Sequence, residues 1–401
     1  MSLSVQKYSG KTLGNIEKIK EVALFIKKHM EMGKNLVVVV SAMGDTTDRL
    51  LEMAGQISED PDKRELAVLM TSGEQVSIAL LTIALHEIGV DAMSMTGPQI
   101  GLMTSGSHTR SVITDLDEKV ILEKLAEGKV VIVAGFQGVN EENEITTLGR
   151  GGSDTTAVAL AARLGCPCEL FADIDGVYTV NPNYYPNARK LAEISYDEML
   201  EMATAGADIV NSRAIELAQR YKVPLSVSLS GSDYPGTIIK EMESNMESTA
   251  ITGIAINNDE AMISITGIPN DMKTMADLFE KMADKYINID MISQTMPKNK
   301  LVSLSFTIEK GDIGSAKKLL DEFAESIDSV KYEIVENICK LSVMGLGMLT
   351  QSGVAAKLFR ILADHHIEVS TITTSEIKIS YVIAPEDQRT AVEAIAQEFN
   401  L

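Results

Sequence analysis

Residues 37–40 are four consecutive valines, and residues 130–133 (Val-Val-Ile-Val) and 170–172 (Leu-Phe-Ala) are equally unbroken apolar runs. Runs this short with no polar alternation are what a strand buried on both faces requires. Between them the spacing changes. Ile16, Ile19, Val22, Ile26 and Met30 recur at helical intervals, and Val76, Leu80, Ile83 and Ile88 do so more loosely. Strand–helix alternation of this kind predicts a mostly parallel sheet covered by helices on both faces, a three-layer αβα arrangement. Ligands of such sheets bind beyond the carboxyl ends of the strands.

The polar, glycine-bearing segments fall at those strand ends. The richest is Thr146-Thr-Leu-Gly-Arg-Gly-Gly-Ser-Asp-Thr-Thr156, followed by an Ala-rich run. Its glycines let backbone approach a ligand closely, and the helix N-terminus after it offers unpaired N–H groups to an anion. Arg150 suits a carboxylate or phosphate, and Asp154 suits an ammonium. A capped glycine turn accounts for one of these residues but not for the whole set. The segment therefore reads as a site for a small zwitterion or a phosphorylated molecule.

Three other segments have the same strand-end position. Lys7-Tyr-Ser-Gly-Lys-Thr12 imitates the tail of a P-loop, but the upstream glycine that motif needs is Val5, so the P-loop is excluded. Its lysines can still neutralise a phosphate. In Ser41-Ala-Met-Gly-Asp-Thr-Thr-Asp48, Ser41 and Thr47 can cap a helix or meet ligand oxygens. Ala172-Asp-Ile-Asp-Gly-Val-Tyr-Thr179 fits a ribose and base or an Asp-Gly turn. A fourth segment, Thr71-Ser-Gly-Glu74, reads as the opening of a long apolar helix, where the helix dipole favours a carboxylate.

Composition narrows the class. At 401 residues, with 45% hydrophobic and 23% charged, the chain is expected to fold as two or three soluble domains. A net charge of −21 repels a phosphate backbone, so nucleic acid is not an expected partner. No basic-plus-apolar leader is read at the N-terminus, and no apolar run reaches the roughly 18 residues of a membrane span. Three cysteines point to a reducing, cytoplasmic setting, with Cys166 and Cys168 as small buried apolar residues. Neither the five histidines nor the cysteines build a hydrolase triad or a metal site.

The chain changes character at residues 230–248, which carry turn chemistry and then a polar stretch. Beyond lies an internal repeat. Ile263-Ser-Ile-Thr-Gly267 matches Leu341-Ser-Val-Met-Gly345 at an offset of 78, and Ala276-Asp-Leu-Phe279 matches Ala356-Lys-Leu-Phe359 at 80. Each copy reads strand, loop, amphipathic helix, strand, the pattern of a small α+β module suited to binding or assembly.

Taken in order, these motifs resemble the aspartate kinases of the amino-acid kinase superfamily with C-terminal tandem ACT modules. The resemblance runs from Lys7 to the last strand. It rests on Ser41-Ala-Met-Gly44, Gly73-Glu74, Gly135-Phe-Gln-Gly138, Gly149-Arg-Gly-Gly-Ser-Asp154, Asp175-Gly-Val-Tyr178 and Thr374-Ser-Glu-Ile-Lys-Ile-Ser380. It implies a catalytic domain at 1–238, a linker at 239–248, a first ACT (ferredoxin-like) module at 261–335, and a second at 249–258 and 336–401. It implies phosphoryl transfer from ATP, with Mg²⁺, to the β-carboxylate of L-aspartate, and feedback by lysine or threonine. It also implies a homodimer through the ACT modules.

The same resemblance distributes roles. Lys7 and Asp154 are the catalytic pair. Lys7, Tyr8, Ser9, Gly10, Ser41, Ala172, Asp173 and Tyr178 bind ATP. Thr47, Glu74, Arg150, Gly151, Gly152, Ser153 and Asp154 bind aspartate. Asn270, Met275, Asn288, Ile289, Asp290, Gln294, Ser375 and Glu376 form the effector edge. No metal-ligating residue is implied. The chain departs from the family pattern in several places, among them Met272-Lys273 where the family has Pro-Gly. The family's Lys-Phe-Gly-Gly-Thr-Ser-Val is Lys7-Tyr-Ser-Gly-Lys-Thr-Leu13, its Asp-Pro-Arg is Asn181-Pro-Asn183, its His-Pro-Arg is Asn211-Ser-Arg213, and a first-module Asp is Asn270. These departures leave two alternatives to an active aspartate kinase: a kinase fold that only senses amino acids, and a sibling kinase for another carboxylate.

Overall fold

A computed structural model describes residues 2–207, 209–242 and 249–401. By contact the chain forms two compact units. One comprises Met1–Val177, Lys190–Ala203 and Asp208–Glu243, and the other Tyr178–Arg189, Thr204–Ala207 and Ser244–Leu401.

In the first unit the order is β1 (Ser2–Tyr8), α1 (Ile16–Glu31), β2 (Lys34–Val40), α2 (Thr46–Ile57), α3 (Lys63–Glu87) and β3 (Ala92–Met95). Then come β4 (Leu102–Ser107), β5 (Arg110–Leu116), α4 (Lys119–Ala126), β6 (Val130–Ala134), β7 (Gln137–Val139) and β8 (Ile145–Thr147). The series closes with α5 (Gly152–Leu164), β9 (Cys168–Ala172), β10 (Glu193–Ser195), α6 (Tyr196–Thr204), α7 (Ser212–Tyr221), β11 (Leu225–Leu229) and β12 (Thr237–Lys240).

Eight of these strands make one sheet in the order β10-β12-β11-β9-β1-β2-β6-β3, parallel at every pairing except β11 with β12. The valine run of β2 explains the layering. Val38 and Val40 join Tyr8, Ile132 and Phe171 under Ile19, Val22 and Ile26 of α1 and Ile78, Leu81 and Leu85 of α3. Val37 and Val39 are equally buried on the opposite face, where α5 packs on β1, β2 and β9. A second sheet, β5-β4-β7-β8, lies in the same unit. β12 runs to Lys240, two residues into the segment read as a linker, and residues 243–248 of that segment lie outside the described residues.

Two expectations about α3 fail. The buried face is Ile78, Leu81 and Leu85, while Val76 and Ile83 are exposed. A helix apolar nearly all round gives periodicity no face to detect. The helix also begins at Lys63, where Asp62 accepts from the backbone N–H groups of Arg64 and Glu65 (3.0 and 3.1 Å), so Glu74 is mid-helix and gains nothing from the dipole. By length and composition alone α3 could cross a membrane, contrary to the sequence reading, but half of its apolar stretch is buried within the protein.

In the second unit β13 (Gly253–Asn257) precedes two modules. The first is β14 (Glu260–Pro269), α8 (Met272–Asp284), β15 (Asp290–Gln294), β16 (Leu301–Glu309), α9 (Ile313–Ser326) and β17 (Lys331–Val335). The second is β18 (Cys339–Met344), α10 (Val354–Asp364), β19 (Val369–Thr374), β20 (Lys378–Ile383) and α11 (Gln388–Phe399). Their antiparallel sheets run β15-β16-β14-β17 and β19-β20-β18-β13, so β13 stands in the second where β17 stands in the first. Each sheet packs one face on its two helices. The opposite faces meet through Met262, Met291, Ile338 and Val382.

Candidate active site

The carboxyl ends of β1, β2, β6 and β9 gather most of the expected residues. Lys7, the penultimate residue of β1, places its Nζ 2.7 Å from Asp154 Oδ1, and both side chains are nearly buried. Asp154 is held there because the first turn of α5 is locked from three sides. Gly151 has φ +69°, and a Cβ on it would stand 2.4 Å from Asn211 Nδ2. A Cβ on Gly152 would meet Leu148 at 2.8 Å, and one on Gly135 would meet Ser153 Oγ at 2.7 Å. Glycine at these positions lets α5 seat its N-terminus against the end of β6, with Ser153 buried beside it. Phe136, just past β6, adopts φ +70°, and its N–H donates to Thr156 Oγ1 at 3.1 Å. A bulky residue in that region is strained, a frequent mark of ligand sites.

Beside Lys7 the loop after β1 is clamped. Ser9 N–H donates to Phe171 O (3.1 Å), Ser41 N–H donates to Tyr8 O (3.2 Å) and Gly44 N–H donates to Gly10 O (2.9 Å). Tyr8 itself is wholly buried against Phe171, so it belongs to the core beneath the loop. Lys11 pairs with Asp173 at 3.1 Å, just past Ala172 at the end of β9.

The helical run around Gly73 packs so closely on the loop after β2 that a Cβ there would stand 2.8 Å from Ala42 Cβ. This brings Glu74 onto Ala42, whose N–H donates to Glu74 Oε1 at 3.0 Å, while Oε2 is buried with no partner among the described residues. Burial pushes the Glu74 carboxyl up from its ordinary 4.5 to about 7, against a smaller downward pull from the Ala42 N–H. The carboxylate thus titrates near neutrality and is poised to gain from a cationic partner. Ser41 is half-buried, and the N-cap of α2 is Asp45, so neither Ser41 nor Thr47 is the cap; Thr47 is in the helix's first turn. Arg150 is exposed on the turn before α5, its carbonyl accepting from Asn211 Nδ2 at 3.1 Å. Tyr178 belongs to the second unit.

Sequence reasoning missed Asn211 and Arg213 as parts of this site. Asn211 caps α7, its N–H donates to Asp154 Oδ2 (3.3 Å), and its side chain closes on Gly151. Arg213 donates to Leu148 O (2.5 Å) and Ser111 O (3.1 Å), bracing the approach to the glycines. The signal was an Asn-Ser-Arg helix start.

The expected effector residues lie in the second unit. Asn270, Asn288 and Gln294 are exposed around α8 and β15, with Ile289 half-buried between them. Met275 packs into the first module's core. Ser375 and Glu376 are exposed in the turn between β19 and β20. Asp290 is already engaged: Lys340 of β18 donates to its Oδ2 at 2.8 Å and also to Glu260. Burial pushes the Asp290 carboxyl up, but the Lys340 charge prevails and holds it below its ordinary value.

A parallel α/β sheet with a lysine–aspartate pair and a glycine-seated helix N-terminus at its strand ends has the layout of a small-molecule phosphotransferase. The amino acid kinase family model matches residues 2–228, and an ACT domain model matches 341–399. Aspartokinase 2 of Bacillus subtilis is 43% identical over 402 residues, covering 100% of this chain and 98% of that protein. The aspartokinase of Geobacillus stearothermophilus is 44% identical over the same coverage. Among solved structures, the aspartate kinase from Synechocystis is 37% identical with a TM-score of 0.56, covering 100% of this chain and 69% of that one. E. coli aspartokinase III in complex with aspartate and ADP shares the fold across 100% of both chains, with a TM-score of 0.82 at 21% identity. The chain belongs to the aspartokinases of the amino acid kinase family.

Proposed function

We propose that this chain transfers the γ-phosphoryl group of Mg·ATP to the β-carboxylate of L-aspartate, giving 4-phospho-L-aspartate, the entry step to lysine, threonine and methionine. The carrying observation is the Lys7–Asp154 pair, 2.7 Å apart, at the glycine-held start of α5. It sets a cation beside a carboxylate, as a transferring phosphoryl group and an amino-acid acceptor together demand. The acceptor carboxylate is already a nucleophile at neutral pH, so alignment and charge neutralisation suffice and no general base is needed. Lys7 faces the phosphates, with Ser9, Gly10 and Ser41 forming their loop and Ala172 and Asp173 bordering the nucleotide. Arg150 takes the α-carboxylate, Glu74 and Asp154 take the ammonium, and Thr47, Gly151, Gly152 and Ser153 complete the pocket. Mg²⁺ would come bound to the nucleotide's phosphates and would help neutralise their charge beside Lys7.

The ACT modules bind lysine or threonine along the edge from Asn270 to Gln294 with Ser375 and Glu376, and carry a homodimer through residues 249–401. Coupled release of ADP with aspartate and Mg·ATP tests the activity, with glutamate as comparator. Absence of aspartate-dependent turnover, with lysine or threonine binding intact, would leave a sensor instead. Light scattering at monomer mass with and without lysine would contradict the dimer.

A further inference from the structure

Ser9 is where this chain has a side chain and the family pattern has glycine. Its backbone does not need glycine, since φ is −72° and ψ 162°, an extended geometry open to any residue. That geometry continues the alternation of β1, so the Ser9 side chain falls on the face of the sheet that carries Lys7, the face covered by α5. The main chain of Ser9 is fully engaged. Its N–H donates to Phe171 O (3.1 Å), and its carbonyl accepts from Thr12 N–H (3.1 Å) and Thr12 Oγ1 (2.7 Å). The following Gly10 is pinned, because a Cβ there would stand 2.6 Å from Ala42 O. The hydroxyl alone is unsatisfied: Ser9 Oγ is buried and has no hydrogen-bond partner among the described residues.

A buried hydroxyl without a partner weakens a fold, and alanine at this position would cost the backbone nothing. The hydroxyl is held on a rigid loop, two residues along one face from a lysine, and offers a donor. We propose that Ser9 Oγ–H donates to a phosphoryl oxygen of a nucleoside di- or triphosphate, making Ser9 a nucleotide-binding side chain peculiar to this variant of the loop. The inference rests on the nucleotide reading given above and adds to it a specific contact that a glycine loop lacks. Lys11, turned toward Asp173 at 3.1 Å, contributes no part of it.

The test is calorimetric titration of the full-length wild type, Ser9→Ala and Ser9→Gly with ADP and with adenosine, alongside the melting of each protein without ligand. Loss of one hydrogen bond to a charged acceptor predicts ADP binding weakened about tenfold in Ser9→Ala, with adenosine binding unchanged. The ligand-free Ser9→Ala protein should melt at or above the wild-type temperature, because an unsatisfied group has been removed. Three outcomes overturn the inference: unchanged ADP affinity in Ser9→Ala, equal losses for ADP and adenosine, or a lowered ligand-free melting point that marks a structural hydroxyl. A wild type that binds no ADP at all overturns the nucleotide reading itself, which separates the two failures.

Discussion

Replacing Glu74 with glutamine should make the protein more stable and less able to use aspartate. The carboxyl rises from an ordinary 4.5 to about 7 because burial disfavours its charge, with one oxygen bonded to Ala42 N–H and the other without a partner among the described residues. The sign follows from proton binding. Below pH 4.5 both folded and unfolded chains hold the proton, so the full contribution to stability is present. From there up to about 7 only the folded chain holds it, so stability falls, and above 7 the loss is complete. A displacement of that size corresponds to roughly 3 kcal/mol. Glutamine keeps the acceptor facing Ala42 and does not titrate. Glu74→Gln should therefore lie within about 1 kcal/mol of the wild type at pH 5 and exceed it at pH 8 by up to about 3 kcal/mol, less whatever the new unpaired amide group costs. Denaturant unfolding of both proteins at the two pH values measures this. If Glu74 receives the substrate ammonium, kcat/KM for aspartate should fall on the order of a hundredfold, the loss of a charge-assisted hydrogen bond of about 2–3 kcal/mol, with KM for ATP little changed. A variant no more stable than wild type at pH 8 would refute the burial argument. One with wild-type aspartate kinetics would refute the assignment of the ammonium.

Asp154→Asn keeps the side-chain shape but removes the charge opposite Lys7, 2.7 Å away, and should lower kcat/KM by about thirty- to a hundredfold in the coupled ADP assay. Gly151→Ala forces a Cβ into Asn211 at φ +69° and should cost about 1–3 kcal/mol by denaturant unfolding, with activity falling alongside. Lys340→Met strands the Glu260 and Asp290 carboxylates, the former buried, and should destabilise the chain by about 3–5 kcal/mol; an unfolding curve superimposable on wild type would show that the buried ion pair is without consequence.

The parallel sheet was legible because its strands announce themselves. Val37 to Val40 and the run at 130–133 admit no exposed face, and helical spacing between them dictates crossovers. The strand-end segments were legible for a related reason: glycines and hydroxyls cluster where a doubly covered sheet leaves its only open edge. Glu74 was misplaced because Thr71-Ser-Gly imitates a helix start inside a helix whose true start is Asp62-Lys-Arg-Glu65, an N-cap followed by a glutamate. Asn211 escaped because what it does depends on a glycine sixty residues earlier, a pairing no local pattern encodes. Lys340 escaped for a subtler reason. In Cys-Lys-Leu-Ser-Val-Met the alternation of β18 puts it on the face away from the module's own helices, which a lone module would leave in water. The face is dry because Met262 and Met291 of the first module cover it, so its charge needs Glu260 and Asp290.

Three local costs converge at the ends of β1, β2 and β6: the Glu74 oxygen and the Ser9 hydroxyl, both without a partner among the described residues, and the left-handed backbone of Phe136. Each is the kind of defect that stability alone would remove by an ordinary substitution. Their chemistry is not random. Ser9 and Lys7 present a donor and positive charge, whereas Glu74 presents an acceptor that titrates near neutrality. A single anion would satisfy only the first group, and a single cation only the second. Two ligands of opposite character brought together, one bearing phosphate and one bearing an ammonium, satisfy both, which is why the same residues that weaken the fold argue for transfer between two bound molecules rather than capture of one.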